Sequence, residues 1–409
     1  MKNENGIIKK IMSDPVLIAA WVLAFISVFF TRPDKEYLSY IDWRSLGILW
    51  GLMVVIQGLK ENSVFDIIGN YLLGRVKKGW QLAAIFIFLC FFGGMLITND
   101  VALITFVPFA IMILKSCGME KMALRVIVLQ TIAANLGSML TPIGNPQNLY
   151  LYGLTGMPID EFIMWMLPYT LLALVLLIVG IAFLPGRNKE IHMSDESDTT
   201  MHSADCSNKD VTNIKYESQI DLNEQHVAKE YINKKTTKPG DIIIYLILFA
   251  LAVLTVLRIV TWYVMALIVL AVVFILDKKI ILRADYMLLL TFIGFFIFTG
   301  NMGRVGYIRD MLEKLVQGRE VYTSIIASQF ISNVPATLLL SGFTDNHKAL
   351  LLGVNLGGLG TLIASMASLI SYKAFSNEYK DEKGRYILLF TAYNVLFLIA
   401  LLGLYVILN

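Results

Sequence analysis

Residues 135–149 read NLGSMLTPIGNPQNL, and residues 355–369 read NLGGLGTLIASMASL. The two stretches begin alike and keep small or polar residues at matching positions. Each also carries helix-breaking residues, which are Pro142 and Pro146 in the first stretch and a run of glycines in the second. Irregular backbone at membrane depth is tolerated only where protein or a water-filled cavity satisfies it. A duplicated pair of such breaks is the best sequence indication of a binding site in a secondary transporter.

The composition of the chain is that of a membrane protein. Of its 409 residues, 57% are hydrophobic and 16% are charged, whereas about a quarter of the residues in soluble proteins are charged. A formal net charge of +3 gives no indication of a nucleic-acid partner. The three cysteines and four histidines show no metal-binding spacing, so we expect no cofactor, no structural metal and no enzymatic activity.

Apolar runs long enough to cross a bilayer predict an all-α polytopic membrane protein with about nine full crossings. We place the crossings near residues 14–31, 42–59, 122–152, 163–185, 240–258, 260–277, 285–302, 347–372 and 386–408, and expect 122–152 and 347–372 to be broken. Two more apolar regions, 80–115 and 319–345, have polar tips, and we expect re-entrant hairpins there. The arm from Pro335 to Phe343 spans only about 13 Å as a helix, which is too short to cross. The arms of 80–115 are longer, so two true crossings would also explain that region.

The same elements recur in the same order, which predicts two repeats. Residues 1–186 form the first repeat, 187–239 a hydrophilic and largely disordered linker, and 240–409 an extra crossing followed by the second repeat. The extra crossing makes the second repeat start from the opposite face, so we expect the repeats to be inverted. Most of the 34 Lys and Arg residues then lie inside. We therefore predict a plasma-membrane protein with a cytoplasmic N-terminus and linker and an external C-terminus.

In the first half, polar residues cluster at the hairpin tip and at the helix break. Asp100 is the only residue charged at neutral pH between Gly79 and Leu114, and an intramembrane acid indicates function. It could bind a coupling cation or carry a proton, or it could serve as a helix cap. The break could likewise be a proline kink whose polar residues satisfy the freed backbone. The candidate residues are Thr98, Asn99, Asp100, Thr141, Gly144, Asn145 and Asn148, with a sodium ion possible at Asn99, Asp100 and Asn145.

In the second half, the candidates are hydroxyls and one amide. The small residues of this break also suit tight helix packing, and those of the tip suit helix capping. The alignment of Thr141 with Thr361 and of Asn145 with Ser365 favours a duplicated site, because each pair keeps an oxygen at one register. The candidate residues are Ser332, Asn333, Thr361, Ser365 and Ser368.

Three motifs resemble the ion transporter superfamily: ITND at 97–100, TPIGNPQN at 141–148 and SNVPA at 332–336. They look most like the citrate-transporter-like, arsenite permease and anion permease branch, which is related to the divalent anion/sodium symporters. The symporters carry Ser-Asn-Thr at both tips, whereas here Asp100 and Val334 follow the asparagines. The resemblance covers nearly the whole chain outside the linker. It implies a scaffold domain and a transport domain, with the binding sites between each hairpin tip and the broken helix of the same half. It also favours a homodimer.

These observations predict a secondary transporter that moves a small anion or oxyanion by alternating access. Its partners are the small anion and the lipid bilayer, and its coupling ion is Na⁺ or H⁺. A neutral hydroxide would also suit the site. The alternative is sodium/proton antiport without an anion, with Asp100 as the exchanging carboxylate. A membrane enzyme or a channel is disfavoured, because no catalytic His, catalytic Cys or metal-binding cluster lies in the apolar runs and a channel does not need two broken-helix sites.

Overall fold

The computed structural model describes residues 14–73, 76–186, 188 and 239–409, and these residues are predominantly helical. Seven helical segments of this part are long and apolar enough to cross a membrane. The chain is therefore an all-helical polytopic membrane protein, as predicted. The linker predicted at 187–239 lies outside the described residues apart from positions 188 and 239.

In chain order the α-helices are α1 (Pro15–Ser27), α2 (Trp43–Glu61), α3 (Val64–Leu73), α4 (Gly79–Ile97), α5 (Asn99–Ser116), α6 (Glu120–Gly137), α7 (Pro146–Thr155), α8 (Ile159–Ala182), α9 (Pro239–Val256), α10 (Trp262–Leu282), α11 (Tyr286–Arg304), α12 (Gly306–Val316), α13 (Glu320–Ile331), α14 (Asn333–Leu340), α15 (His347–Leu356), α16 (Met366–Glu378) and α17 (Lys383–Leu408).

Both predicted helix breaks are present. In the first, α6 continues into a 3-10 turn, Ser138–Leu140, and the chain then runs irregularly until α7 begins at Pro146. Proline suits this first helical position because its missing N–H would have no partner there. In the second, α15 ends at Leu356 and α16 begins at Met366. No proline is needed, since Gly360 takes a φ of +114°.

The two hairpins differ in length. The second consists of α13, with 12 residues, and α14, with 8 residues. At 1.5 Å per residue α14 spans about 12 Å, so it cannot cross a core of about 30 Å. In the first hairpin, α4 and α5 have 19 and 18 residues and are long enough to cross. The re-entrant form of the first hairpin and the inverted relation of the halves therefore stay predictions.

Helix α6 lies at the centre of the molecule. It packs against α4, α5, α8, α16 and α17, and every side chain from Val126 to Leu136 is buried. A helix that is apolar all round belongs inside. The first break, at the end of α6, is consequently enclosed by protein.

Other helices pack around this centre in pairs. Helix α1 packs against α11, and α2 packs against α9 and α10. Arg258, between α9 and α10, donates hydrogen bonds of 2.8 Å and 2.6 Å to the carbonyl oxygens of Tyr152 and Gly156. This cation satisfies carbonyls at the carboxyl end of α7 and suits the negative end of the helix dipole.

The sequence-based layout missed two short helices and two boundaries. Helices α3 and α12 are too short to cross a membrane. On α12, Tyr307, Met311 and Leu315 recur every four residues and are exposed. Helix α1 ends at Ser27, before the predicted 31. Helix α10 continues past the predicted end at 277, through a non-helical Asp277, because Ile280 returns to the core.

Candidate functional site

The two hairpin tips share an unusual backbone conformation. Thr98 has φ 76° and ψ 149°, and Ser332 has φ 72° and ψ 155°. This region of backbone space is almost exclusive to glycine and costs about 1–3 kcal/mol for other residues. An asparagine follows each tip, and its side-chain oxygen accepts a hydrogen bond from the next backbone N–H, at 2.9 Å for Asn99 and 3.0 Å for Asn333. Both tips are therefore held in a strained form.

Each tip is docked onto the helix break of its own half. The Asn99 N–H donates to the Gly144 carbonyl oxygen at 3.2 Å, and the Asn333 N–H donates to the Ala364 carbonyl oxygen at 3.0 Å. These two pairs occupy matching positions in the repeated motifs. The same tip-to-break contact is thus made twice in the molecule.

The geometry shared by the two halves extends to one threonine in each break. The Thr141 hydroxyl donates to the carbonyl oxygen of Met95, one turn before the first tip. The Thr361 hydroxyl donates to the carbonyl oxygen of Gln329, one turn before the second tip, at 3.3 Å. Both threonines therefore fasten a break to the incoming arm of a hairpin.

The first break satisfies its own backbone with side-chain amides. The Asn148 amide donates to the carbonyl oxygens of Ser138 and Thr141 at 3.2 Å and 3.1 Å. The Asn145 amide donates to the Ser138 hydroxyl at 2.6 Å. These bonds stabilise the irregular segment, which is the role foreseen in the proline-kink alternative.

The second break depends on a residue that the sequence reasoning missed. The Gln329 amide donates to the carbonyl oxygens of Gly357 and Leu359, both at 3.0 Å, and its oxygen accepts from the Thr361 N–H at 2.9 Å. In the first half Met95 takes the matching position. The polar side chain of Gln329, one turn before the Ser332 tip in an otherwise apolar arm, was the sequence signal that could have identified this residue.

Two further missed residues connect the halves. The Asn135 amide donates to the Ser368 hydroxyl at 3.3 Å, and its oxygen accepts from the Asn99 amide at 2.9 Å and the Ser365 hydroxyl at 3.1 Å. The Asn355 amide donates to the Asn148 oxygen at 2.7 Å. Asn135 and Asn355 are the first residues of the two repeated stretches, and their matching positions were the available signal.

The tips and the breaks surround a small cavity of about 60 Å³, below the ~300–1,000 Å³ usual for sites of drug-sized ligands. Both halves contribute to its wall, together with the start of α1. The lining residues are Asp14, Val16, Asn99, Asp100, Asn145, Pro146, Gln147, Asp285, Leu288, Thr291, Ser332, Asn333, Val334, Pro335, Ser365 and Met366. In this conformation a space of this size suits a small ion.

Three carboxylates face this cavity. Asp100 comes from the first tip, and its Oδ1 atom is buried without a hydrogen-bond partner among the described residues. Asp14 and Asp285 begin α1 and α11, where each accepts hydrogen bonds from two backbone N–H groups. Asp285 is exposed and lies at the edge of the cavity wall. Among the described lining residues there is no Lys or Arg, so the side-chain field favours a cation.

Two helix N-termini at the cavity provide the opposite polarity. Helix α7 begins after Asn145 and helix α16 begins after Ser365, and neither has a side-chain cap. Free N–H groups and the positive end of the helix dipole favour anions. The cavity therefore combines carboxylates suited to a cation with two helix ends suited to an anion.

Gln147 is the least satisfied polar residue of the cavity wall. It is 1% exposed, and neither polar atom of its side chain has a partner among the described residues. A buried unsatisfied polar group costs about 1–3 kcal/mol, and such groups in native proteins have a reason. Gln147 was not a predicted site residue, although it lies inside the motif TPIGNPQN.

The structure divides the predicted residues into two groups. Six line the cavity: Asn99, Asp100, Asn145, Ser332, Asn333 and Ser365. The other six do not line it and instead form hydrogen bonds within and between the tips and breaks: Thr98, Thr141, Gly144, Asn148, Thr361 and Ser368. The three residues suggested for a sodium ion are all in the first group.

Comparison with known proteins identifies the family. A family model described as citrate transporter matches residues 7–346. The chain belongs to the citrate transporter family. It is 29% identical over 369 residues to an uncharacterized transporter of Methanocaldococcus jannaschii, covering 90% of each chain. It is also 28% identical over 352 residues to the inner membrane protein YbiR of Escherichia coli, covering 85% of this chain and 84% of that protein.

A more distant relative covers a smaller region. The silicon efflux transporter LSI3 of Oryza sativa subsp. japonica is 30% identical over 135 residues, which are 33% of this chain and 27% of that protein. The resemblance to the ion transporter superfamily is thereby confirmed. This member of the citrate transporter family is a multi-pass membrane transporter.

Proposed function

We propose that the protein is a secondary active transporter that moves a small anion or oxyanion by alternating access, with Na⁺ or H⁺ as the coupling ion. The observation that carries this proposal is the mixed polarity of one cavity. Carboxylates of Asp14, Asp100 and Asp285 share it with the uncapped N-termini of α7 and α16. A site of this kind suits a cation and an anion bound together.

The lack of basic side chains in the cavity wall supports coupling. An anion entering beside three carboxylates meets repulsion, and no described Lys or Arg lines the wall to offset it. A co-bound cation, or a proton on Asp100, removes much of that repulsion. Substrate affinity should therefore depend on the coupling ion.

Gln147 supports a substrate with both donors and acceptors. Its amide presents two N–H donors and a carbonyl acceptor, all without partners among the described residues. A hydroxylated oxyacid or partly protonated oxyanion satisfies both ends of the side chain. One relative is named a silicon efflux transporter and the family is described by citrate, so silicic acid and citrate belong among the candidates.

The duplicated contacts support alternating access. Each half has a strained tip, a break docked on it and a threonine fastening the two. Two similar half-sites that meet near the membrane centre are typical of transporters in which one unit rocks against another. Under this proposal the protein is a permease and not an enzyme.

The test is uptake into proteoliposomes containing the purified full-length protein. Citrate, phosphate, sulfate, arsenite and silicic acid are offered in turn, with an imposed Na⁺ gradient, an imposed H⁺ gradient or neither. We expect one of them to accumulate only with a gradient. Asp100→Asn should abolish the gradient dependence, whereas Asp160→Asn, at an exposed acid of α8, should not. Failure of every candidate under every gradient contradicts the proposal.

Sodium/proton antiport without an anion is the second candidate. The observation that favours it is again the group of three carboxylates without a basic neighbour in the described wall. Proteoliposomes with a pH-sensitive dye inside, and no candidate substrate present, distinguish the two functions. Sodium-driven proton flux that needs Asp100 and is unchanged by any anion supports antiport and rejects the first proposal.

The orientation, membrane and assembly are proposed on the charge distribution and the resemblance. We expect the N-terminus and the 187–239 linker in the cytoplasm, the C-terminus outside, the plasma membrane as location and a homodimer as assembly. Labelling of single cysteines from outside intact cells tests the orientation. Cysteine at Asn409 should react and cysteine at Ser203 should not.

A further inference from the structure

A second cavity lies apart from the one between the hairpin tips. It is about 490 Å³, which falls in the ~300–1,000 Å³ range of small-molecule sites. The first turns of α6 form one wall, and the chain between α16 and α17 forms another. It shares no described lining residue with the first cavity, so it calls for a separate explanation.

Three basic residues line this cavity: Lys121, Arg125 and Arg385. Arg385 lies 3.5 Å from Glu382, whereas Lys121 and Arg125 form no ion pair with any described residue. Arg125 is also half-buried. A partly desolvated guanidinium is stabilised by a counter-ion, and no described residue forms an ion pair with Arg125, so an anion is the ligand that suits this part of the wall.

The hydroxyl of Tyr379 gives an independent indication. This residue lines the same cavity, and its hydroxyl oxygen is buried without a hydrogen-bond partner in the described part of the chain. Burial raises the pKa of Tyr379 to about 12, so the group stays protonated and can donate. The ring is fixed against Phe375, with centroids 4.8 Å apart.

The start of α6 adds backbone donors. This helix begins at Glu120 with no side-chain cap, and both Glu120 and Lys121 line the cavity. Uncapped N–H groups at a helix N-terminus favour phosphate-like anions. The carboxylates of Glu120 and Glu382 also face the cavity. The cavity therefore suits a ligand with one anionic group, placed beside Arg125, better than a ligand with many negative charges.

We propose that this cavity binds a phosphate group, held by Lys121, Arg125, the Tyr379 hydroxyl and the first N–H groups of α6. Planar, multiply donating arginine and point-charge lysine are the usual phosphate ligands. A membrane phospholipid is the source that fits the surroundings. Leu389 lines the cavity, and the neighbouring Leu388 is 74% exposed on α17, which offers a surface for an acyl chain.

The test measures binding to the purified full-length protein in a phosphate-free detergent. The probes are dihexanoyl-phosphatidylglycerol, inorganic phosphate and dihexanoylglycerol, the last of which lacks phosphate. We expect the first or the second to raise the melting temperature in a dose-dependent way and the third to have no effect. A tenfold preference for the lipid identifies a headgroup site, and equal affinity identifies a site for free phosphate.

Variants locate the bound phosphate. The pair Lys121→Gln and Arg125→Gln should weaken binding about tenfold or more, because two charged hydrogen-bond donors to the phosphate are lost. Tyr379→Phe removes one hydroxyl without altering the packing and should weaken binding severalfold. As a matched control, Arg309→Gln with Lys314→Gln removes two charges from α12 and should change nothing. Unchanged affinity in Tyr379→Phe and in the double variant, or no phosphate binding at all, overturns the proposal.

Discussion

The Asn355 side-chain amide donates a 2.7 Å hydrogen bond to the Asn148 side-chain oxygen, and so joins the first arm of one broken helix to the second arm of the other. Asn135 makes the corresponding bond to Ser368. Asn135 matches Asn355 in the repeated stretches, and Ser368 matches Asn148, so the two bonds are equivalent. The two breaks are therefore one connected structure, and a change in either should affect both.

Asn135→Ala should destabilise the protein and impair transport. It removes hydrogen bonds with Asn99, Ser365 and Ser368, at about 1 kcal/mol each. Thermal melting in detergent and proteoliposome uptake measure the two effects. The control is Asn394→Ala, because among the described residues that buried amide bonds only to Phe390 of its own helix. Its cost should be about 1 kcal/mol, with uptake retained. Equal uptake in the two variants contradicts the connecting role of Asn135.

Thr98→Gly and Ser332→Gly should each stabilise the protein. Both residues occupy backbone conformations that only glycine adopts without strain, and relief is worth about 1 kcal/mol. Thermal melting of each variant tests this. Thr170→Gly, inside α8, should instead lower stability by about 0.5–1 kcal/mol. The strain interpretation fails if both tip variants melt below the wild type.

Gly144→Ala should uncouple the first tip from the first break. A Cβ atom at this position would overlap the backbone of Ser138, so the segment must move, and with it the carbonyl oxygen that accepts from Asn99. We expect at least about tenfold slower uptake, since small displacements of a binding residue are costly. Gly303→Ala is the control, because nothing lies within 4 Å of its added carbon. Wild-type uptake in Gly144→Ala would disprove the proposed role of this docking contact.

Gln329→Met should destabilise the second break. The substitution places there the residue found at the matching position, Met95, but removes hydrogen bonds to Gly357, Leu359 and Thr361. We expect a loss of about 2–3 kcal/mol by thermal melting. Gln317→Met, at an exposed position after α12, should be nearly neutral. A similar melting temperature for the two variants would show that Gln329 is dispensable.

Gln147→Leu should separate stability from transport. Without substrate, removing a buried amide that has no described partner should leave stability unchanged or raise it. Uptake should fall, because the substrate loses its contact. Gln130→Leu provides the comparison. The Gln130 amide is buried on α6 and donates hydrogen bonds to carbonyl oxygens of α4 and α5, so its loss should lower stability. Normal uptake in Gln147→Leu excludes it as a substrate ligand.

Periodicity and breaker residues were sufficient to predict most of the fold. Hydropathy identified most of the apolar helices, but seven segments of the described residues are long and apolar enough to cross a membrane, against the nine crossings expected. Prolines or glycines identified both breaks, because those residues act locally. Helices α3 and α12 were missed because their amphipathic pattern is shorter than a crossing. The passage of α10 through Asp277 was missed because Ile280 is drawn back to the core by tertiary packing.

Within the site, the motifs themselves were predictable and their partners were not. Half of the predicted residues line the cavity, including Asn99, Asp100 and Ser365. Asn135 and Gln329 were missed because their roles depend on contacts with distant segments, which no local pattern encodes. Asp14 and Asp285 were missed for the opposite reason: each has an ordinary capping position in the sequence, and only the packing of α1 and α11 brings it to the cavity.

If the cavity binds a coupling cation as proposed, that packing has a consequence for its release. Asp14 and Asp285 belong to α1 and α11, which pack against each other, whereas Asp100 belongs to a hairpin docked on a broken helix. If the hairpin slides relative to α1 and α11, the three carboxylates move apart. Coulomb attraction falls with distance and with the entry of water, so a bound cation would lose two of its three charges at once. Translation by a few ångströms could then unload the cation with no covalent bond made or broken.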